Sequence, residues 1–214
     1  MAQVKICGIK NNQALETALK AGAEWVGFVI FEKSPRHVDF EIAAELVRQT
    51  RDRAKTVVVV VDPDDPTLAK LASIVKPDII QLHGSESPAR CGDVRAYARE
   101  GVWKAFGLRT HEDLARASAY RDYVDGFVFD AKPPQGADRP GGWGERFDGT
   151  ILKDYPQSPP WLLSGGLDVD TVREALALSG ASAVDVSSGV ESAPGVKDPN
   201  RIQAFIDAAR LGPL

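Results

Sequence analysis

Short apolar or β-branched runs recur along the chain at residues 4–7, 25–31, 56–61, 78–82, 102–106, 124–129, 161–163 and 183–186. Each is short enough for one strand. The run "TVVVVV" at 56–61 shows no polar alternation, which predicts a strand buried on both faces, as in a parallel sheet covered by helices. Between the runs the spacing changes to that of a helix, as in Ala14, Leu15, Ala18 and Leu19 closing at Gly22, or Leu68, Leu71, Ala72 and Val75. Start signals agree: Asp39 can cap a helix at Phe40, Thr110 and Asp113 have capping-box spacing, and Pro88 and Pro199 follow Ser87 and Asp198 as first-turn prolines. Eight strand-helix units in this length predict one α/β domain over residues 1–214, a (β/α)8 TIM barrel.

Two glycine-rich segments stand out, "LLSGGLD" at 162–168 and "AVDVSSGVE" at 183–191, each at the end of an apolar run. Backbone N–H groups approach a phosphate closely only where no Cβ intervenes, so Gly165, Gly166 and Gly189 suit a phosphate cradle. Each segment leads toward a possible helix start, whose free N–H groups favour an anion. After strands 7 and 8 of a barrel, this is the expected place for one. The longest irregular stretch, "AKPPQGADRPGGW" at 131–143, reads better as a binding loop or lid than as an interdomain linker, since a cut there would leave six strands on one side.

Composition narrows the partners. With 214 residues, 43% hydrophobic and 26% charged, the chain suits a globular domain, and no apolar stretch is long enough to cross a membrane. A net charge of −4 argues against a nucleic-acid partner while leaving room for a local anion site. Nothing at the N-terminus directs export, and the two cysteines are not a disulfide framework, so the cytoplasm is expected. No HxH, HExxH or CxxC spacing occurs, so a preformed metal site is not expected, and no GxGxxG in strand-then-helix context or GxxxxGK(S/T) motif points to a nucleotide site. Oligomeric state is left between monomer and homodimer.

In a parallel barrel, side chains at the carboxyl ends of strands converge on one mouth. Cys7 ends the first strand, and alternation puts Lys5 and Cys7 on one inward face. A buried structural thiol is the commoner fate of a cysteine, but its place beside Gly8 at the mouth favours function; Cys91, far from any strand end, reads as structural. Asp130 ends strand 6 before the long loop, where desolvation would raise its pKa enough to donate a proton at neutral pH. Arg36, after strand 2, can grip a carboxylate with two prongs. His83 ends strand 4 and joins the substrate-contact candidates, whereas His111 falls in a helix's first turn and reads as surface.

The motifs "KICGI" at 5–9, "GFVIFEKSPRHV" at 27–38, "QLHGSE" at 81–86, "FDAKPP" at 129–134, "SGGLD" at 164–168 and "DVSSGVESAPGVKD" at 185–198 together resemble the phosphoribosylanthranilate isomerase family. The resemblance runs through nearly the whole chain in order. It implies a cofactor-independent Amadori rearrangement of a small phosphosugar-anthranilate substrate, in which Asp130 matches the general acid, Cys7 the general base and Arg36 the residue engaging the anthranilate carboxylate. Gly165, Gly166, Ser187, Ser188 and Gly189 match the phosphate site. Asp185, at the end of strand 8, either orients substrate hydroxyls or is structural. A free thiol is only a few per cent thiolate at neutral pH, so a base here needs either a lowered pKa or help from the site, and Lys5 on the same strand face is a candidate source of positive potential. Lys10 and Trp143 depart from residues usual in the family, and Trp143 bears on closure of the long loop. Two other readings compete. A related isomerase for a substrate with two phosphates would need glycine-rich loops early in the chain, and "IFEKSP" and "VDPDDP" lack them; a non-catalytic binder would have no need of both Cys7 and Asp130.

Overall fold

The computed structural model describes residues 1–132, 136, 141, 144 and 147–212. Eight parallel strands close into a barrel in chain order: β1 (Gln3–Cys7), β2 (Trp25–Val29), β3 (Lys55–Val60), β4 (Ile79–Leu82), β5 (Gly101–Leu108), β6 (Gly126–Ala131), β7 (Trp161–Leu163) and β8 (Ala183–Val186). The last strand returns to the first, pairing Lys5 with Asp185. Around them lie α1 (Asn12–Ala21), α2 (Phe40–Thr50), α3 (Asp65–Lys70), α4 (Pro88–Val94), α5 (His111–Ala115), α6 (Val172–Ser179) and α7 (Pro199–Arg210).

Local signals account for many of the boundaries. Asn11 accepts the Ala14 N–H at the start of α1, and Gly22 ends that helix in the left-handed region at φ 85°. Ser87 and Asp198 cap α4 and α7, and Thr110 with Asp113 forms a complete capping box on α5. Asp39 departs from expectation: it makes no cap bond and lies 3.4 Å from His37 Nε2 instead. The expected alternation of eight strands with eight α-helices also loosens. Among the described residues between β6 and β7 the only helical element is a 3₁₀ turn at Gly149–Leu152. A hairpin of β9 (Glu191–Ala193) and β10 (Val196–Lys197) precedes α7, where the sequence suggested a helix start.

The period of two along each strand divides the protein into two cores. Outward residues such as Val4, Ile6, Val58, Val60, Phe127 and Phe129 pack in the large cluster shared with the helices. Inward residues Val57, Ile79, Trp103, Ala105, Val128, Leu162 and Ala183 form a separate apolar plug, with Trp25 against it. Toward the carboxyl ends of the strands the inward positions turn polar, to Lys5, Gln81, Asp130 and Asp185, all buried. The plug keeps water out from below, so this polar layer meets solvent only through the mouth. β3 matches its sequence pattern, with both of its faces buried.

Phe127 is fully buried, with ring centroids 5.7 Å from Phe129 and 5.8 Å from Phe106. Phe127→Ala is expected to lower unfolding free energy by about 3–5 kcal/mol, read as a reduced urea midpoint with an unchanged slope.

Candidate active site

At the carboxyl end of the barrel an open-mouthed cavity is lined by Cys7, Arg36, His83, Asp130 and Asp185. The loops after β7 and β8 complete it with Ser164, Gly165, Gly166, Ser187 and Ser188. Of the residues predicted for the site, nine therefore share one wall system. Gly189 does not line the cavity. Its backbone is seated against the preceding loop, where a Cβ would lie 1.9 Å from the Leu167 carbonyl oxygen, so its lack of a side chain serves to dock the two loops together. Gly165 and Gly166 take the left-handed backbone, at φ 89° and 61°. The expectation for Trp143 and most of the 131–143 loop lies outside the described residues, although Gly141 and Gly144 line the cavity.

Asp130 is the penultimate residue of β6 and points inward. Burial is the largest influence on it and the nearby Asp185 carboxylate acts in the same direction; the Ala131 N–H donated to Oδ1 at 2.8 Å, Lys5 and Arg36 oppose them, and the outcome is a pKa of about 7. A carboxyl group is thereby left half protonated at neutral pH, as a proton donor requires. His83 follows β4, with Nε2 3.6 Å from Asp130 Oδ2. Burial first, then the charges of Lys104 and Lys5, lower its pKa to about 3, so the imidazole is neutral. Its Nε2 is buried without a hydrogen-bond partner among the described residues, a polar atom that a ligand in the cavity can satisfy.

Cys7 ends β1 as expected, and Lys5 acts on its thiol in the expected direction without prevailing. Burial raises its pKa above the ordinary thiol value; Lys5 pulls down, Asp185 pushes up and Lys197 pulls down, and burial prevails. Lys5 itself is fully buried. Burial alone would lower its pKa, yet Asp185, at 2.9 Å, and Cys7 keep it raised and the ammonium charged. Asp185 is thus held by Lys5 on Oδ1, with Ser164 Oγ at 3.4 Å from Oδ2.

Arg36 holds a surprise for sequence reasoning: its Nε and Nη2 donate to the two carboxylate oxygens of Glu191 at 2.7 and 2.8 Å. Glu191 and its neighbour Lys197 were not singled out from the sequence. The signal available was the turn sequence "SAPG" between them, which is of hairpin type. His37 accepts the Phe31 N–H on Nδ1 and braces the loop after β2, and His111 is exposed at the start of α5. Cys91 is buried with its pKa raised to about 11, chiefly by burial, as suits an inert thiol. Among the described residues, no group of three or more His, Cys, Asp or Glu side chains is arranged to hold a metal ion.

A family model for N-(5'phosphoribosyl)anthranilate (PRA) isomerase matches residues 4–208. The N-(5'-phosphoribosyl)anthranilate isomerase of Rhodopseudomonas palustris strain BisA53 is 49% identical over 207 residues, covering 97% of this chain and 95% of that protein. The phosphoribosyl anthranilate isomerase crystal structure from Thermotoga maritima superposes with a TM-score of 0.87 at 35% identity, covering 98% of this chain and 99% of that one. Another phosphoribosyl anthranilate isomerase, crystallised in complex with reduced 1-(o-carboxyphenylamino)-1-deoxyribulose 5-phosphate, superposes with a TM-score of 0.84 at 32% identity, with 98% and 99% coverage.

The raised pKa of Asp130 has a thermodynamic sign. Folding favours its protonated form, so its stabilising contribution is complete below the unfolded pKa of about 4 and is lost as pH rises through about 7. Asp130→Asn removes that dependence. Relative to the parent, the variant should gain stability between pH 4 and pH 8, by up to roughly 4 kcal/mol, in denaturation curves taken across that range.

Proposed function

The chain belongs to the N-(5'-phosphoribosyl)anthranilate isomerase family, and from that premise we propose that Cys7 and Asp130 carry its reaction as base and acid. Its function is the isomerisation of N-(5'-phosphoribosyl)anthranilate in tryptophan biosynthesis. The observation that most supports this assignment of roles is Asp130, a carboxyl with a pKa of about 7 in the same cavity as a cysteine, an arginine and two glycine-bearing loops.

Asp130 in its protonated form gives its proton to the ribose ring oxygen, and the C1–O bond breaks to leave a Schiff base between C1 and the anthranilate nitrogen. Cys7 as thiolate then takes the proton from C2. The electrons released flow toward the iminium nitrogen and give an enolamine, which tautomerises to the ketone, so protons are only moved and no redox partner is needed. The scheme uses no cofactor and no metal. Neutral His83 has an unsatisfied Nε2 near Asp130, suited to a sugar hydroxyl. Lys5 counters burial at Cys7 and so favours the thiolate that the base step needs.

The substrate is anchored at both ends. The loops after β7 and β8 take the phosphate through Gly165, Gly166, Ser187 and Ser188, with Gly189 locking them together, and Arg36 takes the ring carboxylate. Two anchors fix the sugar carbons between base and acid, the kind of positioning that accounts for much of an enzyme's advantage. Asp185 is committed to Lys5, which favours its structural reading over direct contact with sugar hydroxyls. A small-molecule substrate, no nucleic-acid partner and a cytoplasmic setting complete the reading; among the described residues no helix is long and apolar enough to cross a membrane.

Cys7→Ser and Asp130→Asn should each lower kcat by about 10²–10⁴-fold while retaining the parent's circular dichroism. Substrate consumption followed by fluorescence decides it, and near-parental turnover in either variant removes that residue from the scheme. Gly189→Ala should act differently. A methyl group forced against Leu167 parts the phosphate loops, and KM should rise by about tenfold or more with a smaller change in kcat; an unchanged KM would detach this contact from phosphate binding.

A further inference from the structure

The hairpin of β9 and β10 has no part in the proton transfers, yet two of its charged side chains turn back into the protein. Glu191 is 6% exposed and Lys197 9%. The Glu191 carboxylate meets Arg36 along one whole edge of the guanidinium, Nε to Oε1 at 2.7 Å and Nη2 to Oε2 at 2.8 Å. Lys197 Nζ donates to the same Oε1 at 2.8 Å, and the Gly195 N–H to Oε2 at 3.2 Å. Lys197 also donates to the Ser187 carbonyl oxygen at 2.8 Å, and Ser187 Oγ donates to the Cys7 carbonyl oxygen at 3.1 Å. One chain of contacts therefore runs from Arg36 through the hairpin to the base of the phosphate loop and to the backbone of Cys7.

Two properties of the cluster bear on ligand choice. Two basic side chains share one carboxylate on this buried wall, so its donors outnumber its acceptors, a surplus that an anionic group on a ligand would meet. A guanidinium also offers two edges to a carboxylate, one through Nε and Nη2 and the other through Nη1 and Nη2. Glu191 takes the first. No hydrogen bond from Nη1 to a described residue accompanies these two, and Arg36 lines the cavity, which leaves the second edge for a ligand.

We infer that Glu191, held by Lys197, is a positioning residue for carboxylate recognition, which fixes Arg36 by one edge so that its other edge selects ligands bearing a carboxylate on the aromatic ring. The inference rests on the reading that Arg36 meets the ring carboxylate. Arg36 and Lys197 hold the Glu191 pKa below its ordinary value against burial, as suits an ionised carboxylate between two donors, whereas at Lys197 burial prevails over Glu191 and lowers the pKa.

The direction of the effect separates this from simple electrostatics. Removing a negative charge from an anion site ought to tighten anion binding, whereas loss of a positioning group ought to weaken it. The experiment is calorimetric titration of two probes, reduced 1-(o-carboxyphenylamino)-1-deoxyribulose 5-phosphate and the same compound without the ring carboxylate. The proteins are the parent, Arg36→Met, Glu191→Gln and Glu191→Asp. The last keeps the charge but withdraws the carboxylate by one methylene, and it decides the matter if the glutamine variant does not fold. The expected result is a parental preference for the carboxylated probe that falls by about tenfold in the Glu191 variants, with the other probe unaffected. Unchanged or tighter binding of the carboxylated probe, or equal loss for both probes, overturns the inference. A parent that does not distinguish the two probes, or an Arg36→Met variant that still does, instead defeats the reading of Arg36 on which the inference stands.

Discussion

The ion pair between Lys5 and Asp185 joins the first strand to the last across a sequence separation of 180 residues. Both groups are buried, and a buried charge is tolerable only while its partner stays in place. The pair therefore fixes the register in which the barrel closes, and two residues further on come Cys7, at the end of β1, and Ser187, just past the end of β8, both at the mouth. Asp185 also acts on Asp130, two strands away. Anything that loosened this seam would disturb the base, the acid and the phosphate loops together.

Chemistry at the mouth depends in turn on the apolar plug beneath it. A carboxyl group acquires a pKa near 7, and an imidazole stays neutral, because the polar layer is cut off from water on the plug side. Burial here works for the acid and against the base. The same desolvation that keeps a proton on Asp130 keeps one on Cys7; Lys5 opposes it at both groups and Lys197 at the thiol, and burial prevails at each. An active site of this kind costs stability at neutral pH, which the large outer core between strands and helices offsets.

The sequence made the strands legible because burial on both faces removes polar residues from them, a local property visible in "TVVVVV". Cys7, Asp130, Arg36 and the glycine segments were legible for a related reason: strand ends in a parallel barrel all face one place. What stayed hidden depends on distant partners. Arg36 and Glu191 are separated by 155 residues, and no periodicity connects them. Asp39 carries a proper capping residue type but turns toward His37, a choice made by the loop fold rather than by local preference. Alternation put Lys5 beside Cys7, yet it contained nothing about the depth of burial, which outweighs Lys5 at the thiol.

Asp130 titrates at about 7 and Cys7 above the ordinary thiol range, so the proposed acid loses its proton before the proposed base does. In the ligand-free site the combination of protonated carboxyl and thiolate is a minor tautomer of the commoner carboxylate and thiol. Both forms hold the same number of protons, and their ratio does not change with pH. Between the two pKa values the site consequently keeps a constant small share of its competent form, buffered against drift in the surrounding acidity. Part of its catalytic capacity is exchanged for steadiness.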